Sequence, residues 1–439
     1  MTLRIDYRVA PGGALKGTAR VPGDKSISHR AVMLGSLAEG TTRVTGFLEA
    51  EDALATLAAF RQMGVEIEGP EQGRLTIHGV GLDGLQAASR PLYLGNSGTS
   101  MRLLCGLLAG QPFDSVLTGD SSLSKRPMRR VTEPLQRMGA RIETTEAGTA
   151  PIHIYGGQKL HGIDYVMPVA SAQVKSCLLL AGLYAEGNTC VTEPAPTRDH
   201  TERMLQGFGY AVRREGSRVC LGGGGRLEAT DLDVPADISS AAFFLVGASI
   251  APDSELLLEH VGINPTRTGV IDILRLMGAK IEVLNSRMVG GEPVADLRVV
   301  SRSLKGIQIP EKLVPLAIDE FPVLFVAAAC AEGETVLRGA AELRVKESDR
   351  IQVMADGLTA LGIDARPTPD GIVIRGGRIE GGRVLSHGDH RIAMAFAIAA
   401  LRASEAIEIE DCANVNTSFP GFSSLANRLG LQVEVIECD

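Results

Sequence analysis

One pattern recurs six times along the chain and limits its possible folds more than any single motif does. It reads apolar residue, two variable residues, apolar residue, glycine, then alternating apolar positions. The copies are FRQMGVEIEG from Phe60, LQRMGARIET from Leu135, LQGFGYAVRR from Leu205, LRLMGAKIEV from Leu274, LTALGIDARP from Leu358 and LANRLGLQVEV from Leu425. This spacing predicts a helix stopped by a left-handed glycine at Gly64, Gly139, Gly209, Gly278, Gly362 and Gly430, followed by a strand. Before each copy lies an Ala-rich apolar helix that ends in a turn and leads into a strand, as in SCLLLAGLYAEGNTCVTE. The Ala-Glu-Gly turn is plain from Ala38, Ala185 and Ala331 and degenerate at Ala109, Ala251 and Ala403.

Each unit therefore reads helix, strand, helix, strand, often with a further short strand such as RLTIHG, PIHIYG or GIVIRG. Six units of about 70 residues fill the chain. Such units are too long and too strand-poor for common solenoids. Grouping them three and three, with a break at GGGGRLEATDLDVPAD (ending at Asp237), gives two similar α/β domains, which suits a chain of 439 residues. The glycine run Gly222–Gly225 reads as a turn or linker, because no helix opening with Lys-Ser or Lys-Thr follows to make a phosphate loop.

Charge and composition remove several functional classes. Acidic residues outnumber basic ones by 52 to 44, which argues against a nucleic-acid coat or a binder of anionic membranes. The absence of Trp leaves few platforms for base stacking. The longest apolar runs, such as Phe321–Ala331, reach about half a bilayer span, and MTLRIDYRVAPGG lacks a signal-peptide core. The cysteines are scattered, without C-x-x-C, and their number is odd. They predict reduced thiols in a cytoplasm, with no disulfide framework and no zinc site. Cys105 and Cys330 lie in apolar runs and read as small core fillers.

The polar motifs cluster where the first helix of each unit begins. They are PGDKSISHR with Lys25, Ser26 and Arg30; LGNSGTSMR with Asn96, Gly98, Thr99 and Arg102; and SAQVKS with Ser171, Gln173 and Lys175. The later units open on Asp237, on Asp319 and Glu320, and on Asp389, His390 and Arg391. Helix N-termini carry unpaired N–H groups and partial positive charge, so several of them with Lys and Arg nearby suit a strongly anionic small molecule. Each motif also has a plain structural reading. Ser171, Asp237 and Asp389 read equally well as N-caps. His29 and His390 read as packed or capping residues. SKRPMRR (Ser124–Arg130) reads as a solvated basic face or a nucleic-acid patch. LRVKESDRI, in isolation, reads as a surface ion-pair helix with Lys346 and Arg350 on one face and Glu347 between them.

Taken in order, PGDKSISHR, LGNSGTSMR, SKRPM, SAQVKS, TRDHTERM, LRVKESDR and GDHRIAM resemble the 5-enolpyruvylshikimate-3-phosphate (EPSP) synthase family, from about residue 10 to 425. The resemblance implies the enolpyruvyl transferase fold, an inside-out α/β barrel. It has two lobes, each of three βαβαββ-like units around a pseudo-three-fold axis. Residues 21–235 would form the first lobe and residues 1–20 with 236–439 the second, with the active site in the cleft between them. It implies transfer of the enolpyruvyl group of phosphoenolpyruvate to the 5-hydroxyl of shikimate 3-phosphate, by a monomer without metal or organic cofactor and without nucleic-acid or membrane partners.

Carried over by motif, Lys25, Ser26, Arg30, Ser171, Ala172, Gln173, Arg198, Asp319 and Lys346 would bind shikimate 3-phosphate. Lys25, Gly98, Arg126, Gln173, Arg350 and Arg391 would bind phosphoenolpyruvate. Asp319 would act as base and Glu347 as acid, with Lys25 beside both ligands. Ser171-Ala172-Gln173 and Thr417-Ser418-Phe419-Pro420 resemble the second subclass, whose members often tolerate glyphosate, whereas Gly98 lacks the methyl group some tolerant members carry. Two other readings compete. A sister enolpyruvyl transferase acting on UDP-N-acetylglucosamine would need a catalytic Cys on a mobile loop. A non-enzymatic polyanion-binding module would not need the carboxylates Asp319 and Glu347.

Overall fold

The computed structural model of the chain describes residues 4–438 and separates into two units. One unit holds Gly23–Val234 with Val289–Glu292; the other holds the described residues up to Pro22, Pro235–Met288 and those from Pro293 onward.

In the Gly23–Val234 unit, α1 (Lys25–Leu37) and α2 (Glu51–Gln62) are the helices of the first repeat. The second repeat supplies α3 (Gly98–Ala109) and α4 (Arg129–Arg137), the third α5 (Ala172–Gly182) and α6 (His200–Gly207). The other unit repeats the plan with α7 (Ile238–Ile250) and α8 (Gly269–Leu276), α9 (Phe321–Ala329) and α10 (Arg350–Ala360), and α11 (His390–Ala399) and α12 (Phe422–Leu429).

The six repeat glycines end the even-numbered helices as the pattern predicts, all at positive φ, from 78° at Gly209 to 118° at Gly430. At each one the next residue's N–H reaches back over the glycine to the last turn. Val65 bonds Phe60, Ala140 bonds Leu135, Tyr210 bonds Leu205, Ala279 bonds Leu274, Ile363 bonds Leu358 and Leu431 bonds Ala426. This is the Schellman closure, and it turns the chain from helix into strand.

The sheets interlock the repeats. In the Gly23–Val234 unit, strand Ser115–Thr118 takes a parallel edge partner, Leu92–Tyr93, that follows the first repeat. Strand Asn188–Thr192 takes Asp164–Val166, and Glu39–Thr45 takes Leu232–Asp233 from beyond the third repeat. Each repeat thus lends a strand to the next and the ring of three closes. In the other unit the amino-terminal segment supplies strands to two sheets. Lys16–Ala19 runs parallel to Glu255–Gly262, and Arg4–Val9 lies between Ile407–Glu410 and Val433–Cys438.

The Ala-rich helices fill the centre of each ring. Every residue of α7 and of α9 is buried, and in α11 every residue but Arg391. A helix that is apolar on all sides is one packed on all sides. The strands around them alternate buried and exposed positions, as in Glu39–Thr45, so the sheets face water with their outer surfaces. Helices inside and sheets outside make each unit an inside-out α/β barrel.

The cysteine expectation fails at one place. Cys190 and Cys220 stand directly opposite on antiparallel strands, and their sulfurs are bonded at 2.12 Å. Strand register made them neighbours across a separation of 30 residues, which spacing alone did not reveal. Cys105 is fully buried in α3, as its apolar run predicts, and burial pushes its thiol up to about 12. Gly222 closes strand Arg218–Gly222 and the glycines after it form a turn.

Candidate active site

The polar residues at the starts of the odd-numbered helices are drawn together within each unit. In the Gly23–Val234 unit, Asp24 caps α1 by accepting from the Ile27 N–H at 2.9 Å. Lys25 follows at once, its Nζ 2.9 Å from Asp52 Oδ2 in the first turn of α2. Ser26 is half-buried, and its carbonyl accepts from Arg30 Nη1 at 2.8 Å. Arg30 is buried and also donates to Thr201 Oγ1 at 2.7 Å and Ser176 Oγ at 2.8 Å, joining α1 to α5 and α6. Burial, with help from the neighbouring Arg198 charge and against the pull of Glu202, pushes Arg30 down to about 10, so it stays a cation at neutral pH.

At the start of α3, Ser97 caps the helix and Gly98 begins it. A Cβ on Gly98 would stand 3.0 Å from Arg102 Nη1 and 3.1 Å from Arg126 Nη1. Glycine therefore leaves room for two guanidinium groups beside one helix N-terminus. Arg126 Nη2 is held by Asn96 Oδ1 at 2.5 Å, and Arg102 Nη1 by Gln173 Oε1 at 2.7 Å. Gln173 Nε2 in turn reaches Thr99 Oγ1 at 3.0 Å, so the first turn of α5, with Ser171 as its cap and Ala172 beside it, is stitched to α3. The SKRPMRR reading needs correction: Arg126 is buried in this cluster and is not part of a solvated face.

In the other unit the tract at 343–351 is also unlike its reading in isolation. Lys346 and Glu347 precede α10, which begins at Arg350 with Asp349 as cap, so no ion-pair helix carries them. Arg350 is 1% exposed, and its guanidinium is the hub of the cluster. Its Nε lies 2.8 Å from Asp389 Oδ2, its Nη2 2.7 Å from Glu347 Oε2 and 3.2 Å from Asp389 Oδ1, and its Nη1 3.5 Å from Asp319 Oδ1. Burial opposes that charge, yet Asp389, Glu347 and Asp319 outweigh it and raise the group above its ordinary value. Lys346 Nζ stands 3.4 Å from Asp319 Oδ1, and Arg391 Nη1 donates to the Asp319 carbonyl at 3.0 Å. Three carboxylates, Asp319, Glu347 and Asp389, thus share one buried cation, with two more cations beside Asp319.

The caps at Ser171, Asp237 and Asp389 are real, each side chain accepting from a first-turn N–H. Asp389 does more, since the same carboxylate grips Arg350 and accepts from Ser348 Oγ at 3.0 Å. Sequence reasoning missed this second role, and it missed Asp52 as the partner of Lys25. The available signal for Asp52 was an acidic first turn in the second helix of a unit whose first helix opens on lysine.

His29 is the packed residue its isolation predicts. It is fully buried, with Nδ1 2.8 Å from Thr56 Oγ1. Burial, then the Lys25 and Arg30 charges, hold its imidazole well below the ordinary 6.5. The folded chain keeps this ring neutral where the unfolded chain takes a proton. Stability is therefore fully present above about 6.5 and is lost as the pH falls below it, by about 1.4 kcal/mol for each further unit. Urea unfolding at about pH 7.5 and about pH 5.5 should show the parent losing about 1.4 kcal/mol more than His29→Gln. Equal losses in the two proteins would count against a neutral buried ring.

Sheet register also brings Glu66, Glu68 and His78 together on an exposed face, with ligand atoms within 4.8 Å of one another. Spacing did not predict this group. His78 Nε2 is already 2.9 Å from Glu68 Oε1, an ordinary surface pair.

The comparisons agree on one group of proteins. The family model described as EPSP synthase (3-phosphoshikimate 1-carboxyvinyltransferase) matches residues 9–425. A 3-phosphoshikimate 1-carboxyvinyltransferase of Methylococcus capsulatus is 75% identical over 98% of this chain and 99% of its own. One of Alkalilimnicola ehrlichii is 74% identical over 97% of this chain and 96% of its own. Among solved structures, an EPSP synthase from Acinetobacter baumannii superposes with a TM-score of 0.89 at 63% identity, covering 99% of this chain and all of that one. The enolpyruvyl transferase NikO from Streptomyces tendae, at 16% identity and a TM-score of 0.80, shares the fold.

Proposed function

Because the chain belongs to the EPSP synthase family, we propose how its residues carry out the family's reaction. That reaction transfers the enolpyruvyl group of phosphoenolpyruvate to the 5-hydroxyl of shikimate 3-phosphate and releases phosphate. The observation that carries the proposal is the sharing of one buried guanidinium, Arg350, by Asp319 and Glu347.

The hydroxyl oxygen must bond to C2 of phosphoenolpyruvate, its proton must leave, and C3 must gain one. Asp319, flanked by Lys346 and Arg350, is presented as a carboxylate and takes the hydroxyl proton. Glu347 delivers the proton to C3. The tetrahedral adduct then expels phosphate as Glu347, left as a carboxylate by the first step, takes a proton back from C3 and the double bond is restored. Cations must hold the leaving group as its charge grows. Lys25, Arg126 and Arg391 supply them, with the Gly98 N-terminus, Gln173 and Arg350 completing the phosphoenolpyruvate contacts. Ser26, Arg30, Ser171, Ala172, Gln173, Arg198 and Lys346 hold shikimate 3-phosphate, with Lys25 reaching both ligands. Among the described residues no helix is long and apolar enough to cross a membrane.

The UDP-sugar reading is not favoured. Cys105 is a buried helix residue with a thiol pushed up to about 12, unsuited to nucleophilic work. A phosphate-release assay decides between the two acceptors. Phosphate should appear with shikimate 3-phosphate and phosphoenolpyruvate together. Turnover with UDP-N-acetylglucosamine in place of shikimate 3-phosphate would overturn the reading.

A further inference from the structure

Resting on Arg198 as a ligand of shikimate 3-phosphate, we propose that Lys175 and Glu193 are positioning residues that hold the Arg198 segment against α5. Neither was assigned a role in the reaction above, and both side chains are wholly buried. Lys175 lies on α5 just past Gln173. Its Nζ is 3.0 Å from Glu193 Oε2 and 2.7 Å from Glu202 Oε1. Arg214 Nη2 meets Glu193 Oε1 at 2.6 Å, and Arg214 Nη1 meets Glu202 Oε1 at 3.5 Å. Two cations and two carboxylates therefore balance inside the unit.

A buried ion pair is poor evidence for stability, since apolar residues of the same volume often serve as well. What this pair touches gives it a reason. Thr197 is fixed at three atoms. Its N–H donates to Glu193 Oε2 at 3.2 Å, its hydroxyl donates to the same oxygen at 2.6 Å, and its carbonyl accepts from Lys175 Nζ at 3.4 Å. The stretch from Glu193 to Asp199 has no regular secondary structure, so these bonds and not a ladder fix its path. Arg198 is the next residue, and α5 carries Ser171, Ala172 and Gln173 at its start. On the far side Thr201 Oγ1 accepts from Arg30 and donates to Ser176 Oγ at 2.8 Å.

The need for a clamp is electrostatic. Arg198 is near enough to Arg30 that its charge disfavours the Arg30 cation. Two like charges move apart unless the scaffold holds them, and a phosphate bound by both gains from finding them already in place.

The test is steady-state kinetics on Glu193→Gln and Lys175→Met, each varied in both substrates, with Arg198→Ala and the double variant Glu193→Gln/Arg198→Ala. Glu193→Gln and Lys175→Met should each raise KM for shikimate 3-phosphate by about 10- to 100-fold, with KM for phosphoenolpyruvate held within about twofold. In the double variant, KM for shikimate 3-phosphate should match that of Arg198→Ala alone, because Glu193 acts through Arg198. A merely structural role would raise both KM values and multiply with Arg198→Ala, and either result overturns the proposal. If Arg198→Ala itself leaves KM unchanged, the ligand assignment fails and the clamp fails with it. If Arg198→Ala raises KM while both clamp variants do not, only the clamp fails. Should the single variants not fold, Lys175→Met/Glu193→Leu removes both charges together and is held to the same KM criterion.

Discussion

Glu347→Ala and Asp319→Ala are each expected to lower kcat by about 10²- to 10⁴-fold, the usual contribution of a positioned acid or base. The affinity for shikimate 3-phosphate should fall much less in Glu347→Ala, because the cations Lys25, Arg30 and Arg198 are untouched. On the proposed assignment Asp319→Ala removes a substrate contact as well as the base, so its loss should show in both kcat and KM. Neither carboxylate is deeply buried, with side chains 24% and 14% exposed, so their removal should leave the fold in place. Rapid-quench turnover with titration of shikimate 3-phosphate binding separates the two effects. Parent-like turnover in both variants would end the acid and base assignment. Glu347→Gln sharpens the test, because it keeps the hydrogen bond to Arg350 Nη2 but has no proton to give at C3.

The part of this design legible from sequence was the part written in local backbone chemistry. Six glycines in a repeated apolar frame specify six left-handed helix ends, and all six are formed. The Ala-rich apolar runs were legible as helices, and the structure places them at the centres of the two rings. The placing of basic side chains at the starts of those helices was visible because N-caps and basic residues are adjacent in sequence. What could not be read was anything that depends on register or on a fold brought back on itself. The Cys190–Cys220 bond needs two strands aligned residue for residue. The tract around Lys346 satisfies helical spacing, yet Asp349 caps the helix three residues after Lys346, so the spacing rule gave a helix where a loop stands. Arg350 then becomes buried by partners 39 and 31 residues away in sequence, Asp389 and Asp319, which no local pattern announces. The Lys175 network is hidden for the same reason, since Glu193, Glu202 and Arg214 come from a strand end, a helix and another strand.

The burial of Arg350 makes Asp389 the residue on which the Arg350 cluster depends most. Asp389→Ala is expected to destabilise the chain by about 3–5 kcal/mol, because it strips the main partner from a guanidinium that cannot deprotonate or reach water. It also removes the cap on α11, where Asp389 Oδ1 accepts from the Arg391 N–H at 3.0 Å, which adds about 1 kcal/mol. Asp231→Ala supplies the contrast. That carboxylate is 71% exposed and 3.9 Å from Arg43, and its loss should cost less than about 1 kcal/mol. A thermal scan should place Asp389→Ala about 10 °C or more below the parent and Asp231→Ala within about 2 °C of it. The decisive comparison is Arg350→Met/Asp389→Leu, which removes both buried charges. If the penalty comes from an abandoned charge, the double variant should melt above Asp389→Ala, although it lacks more of the native hydrogen bonds. If the double variant melts lower still, the Arg350 cluster stabilises the unit through its bonds and not merely through its balance of charge. Turnover distinguishes stability from chemistry here. The double variant should be inactive whatever its melting point, because no guanidinium then remains to tie Asp319 and Glu347 to one place.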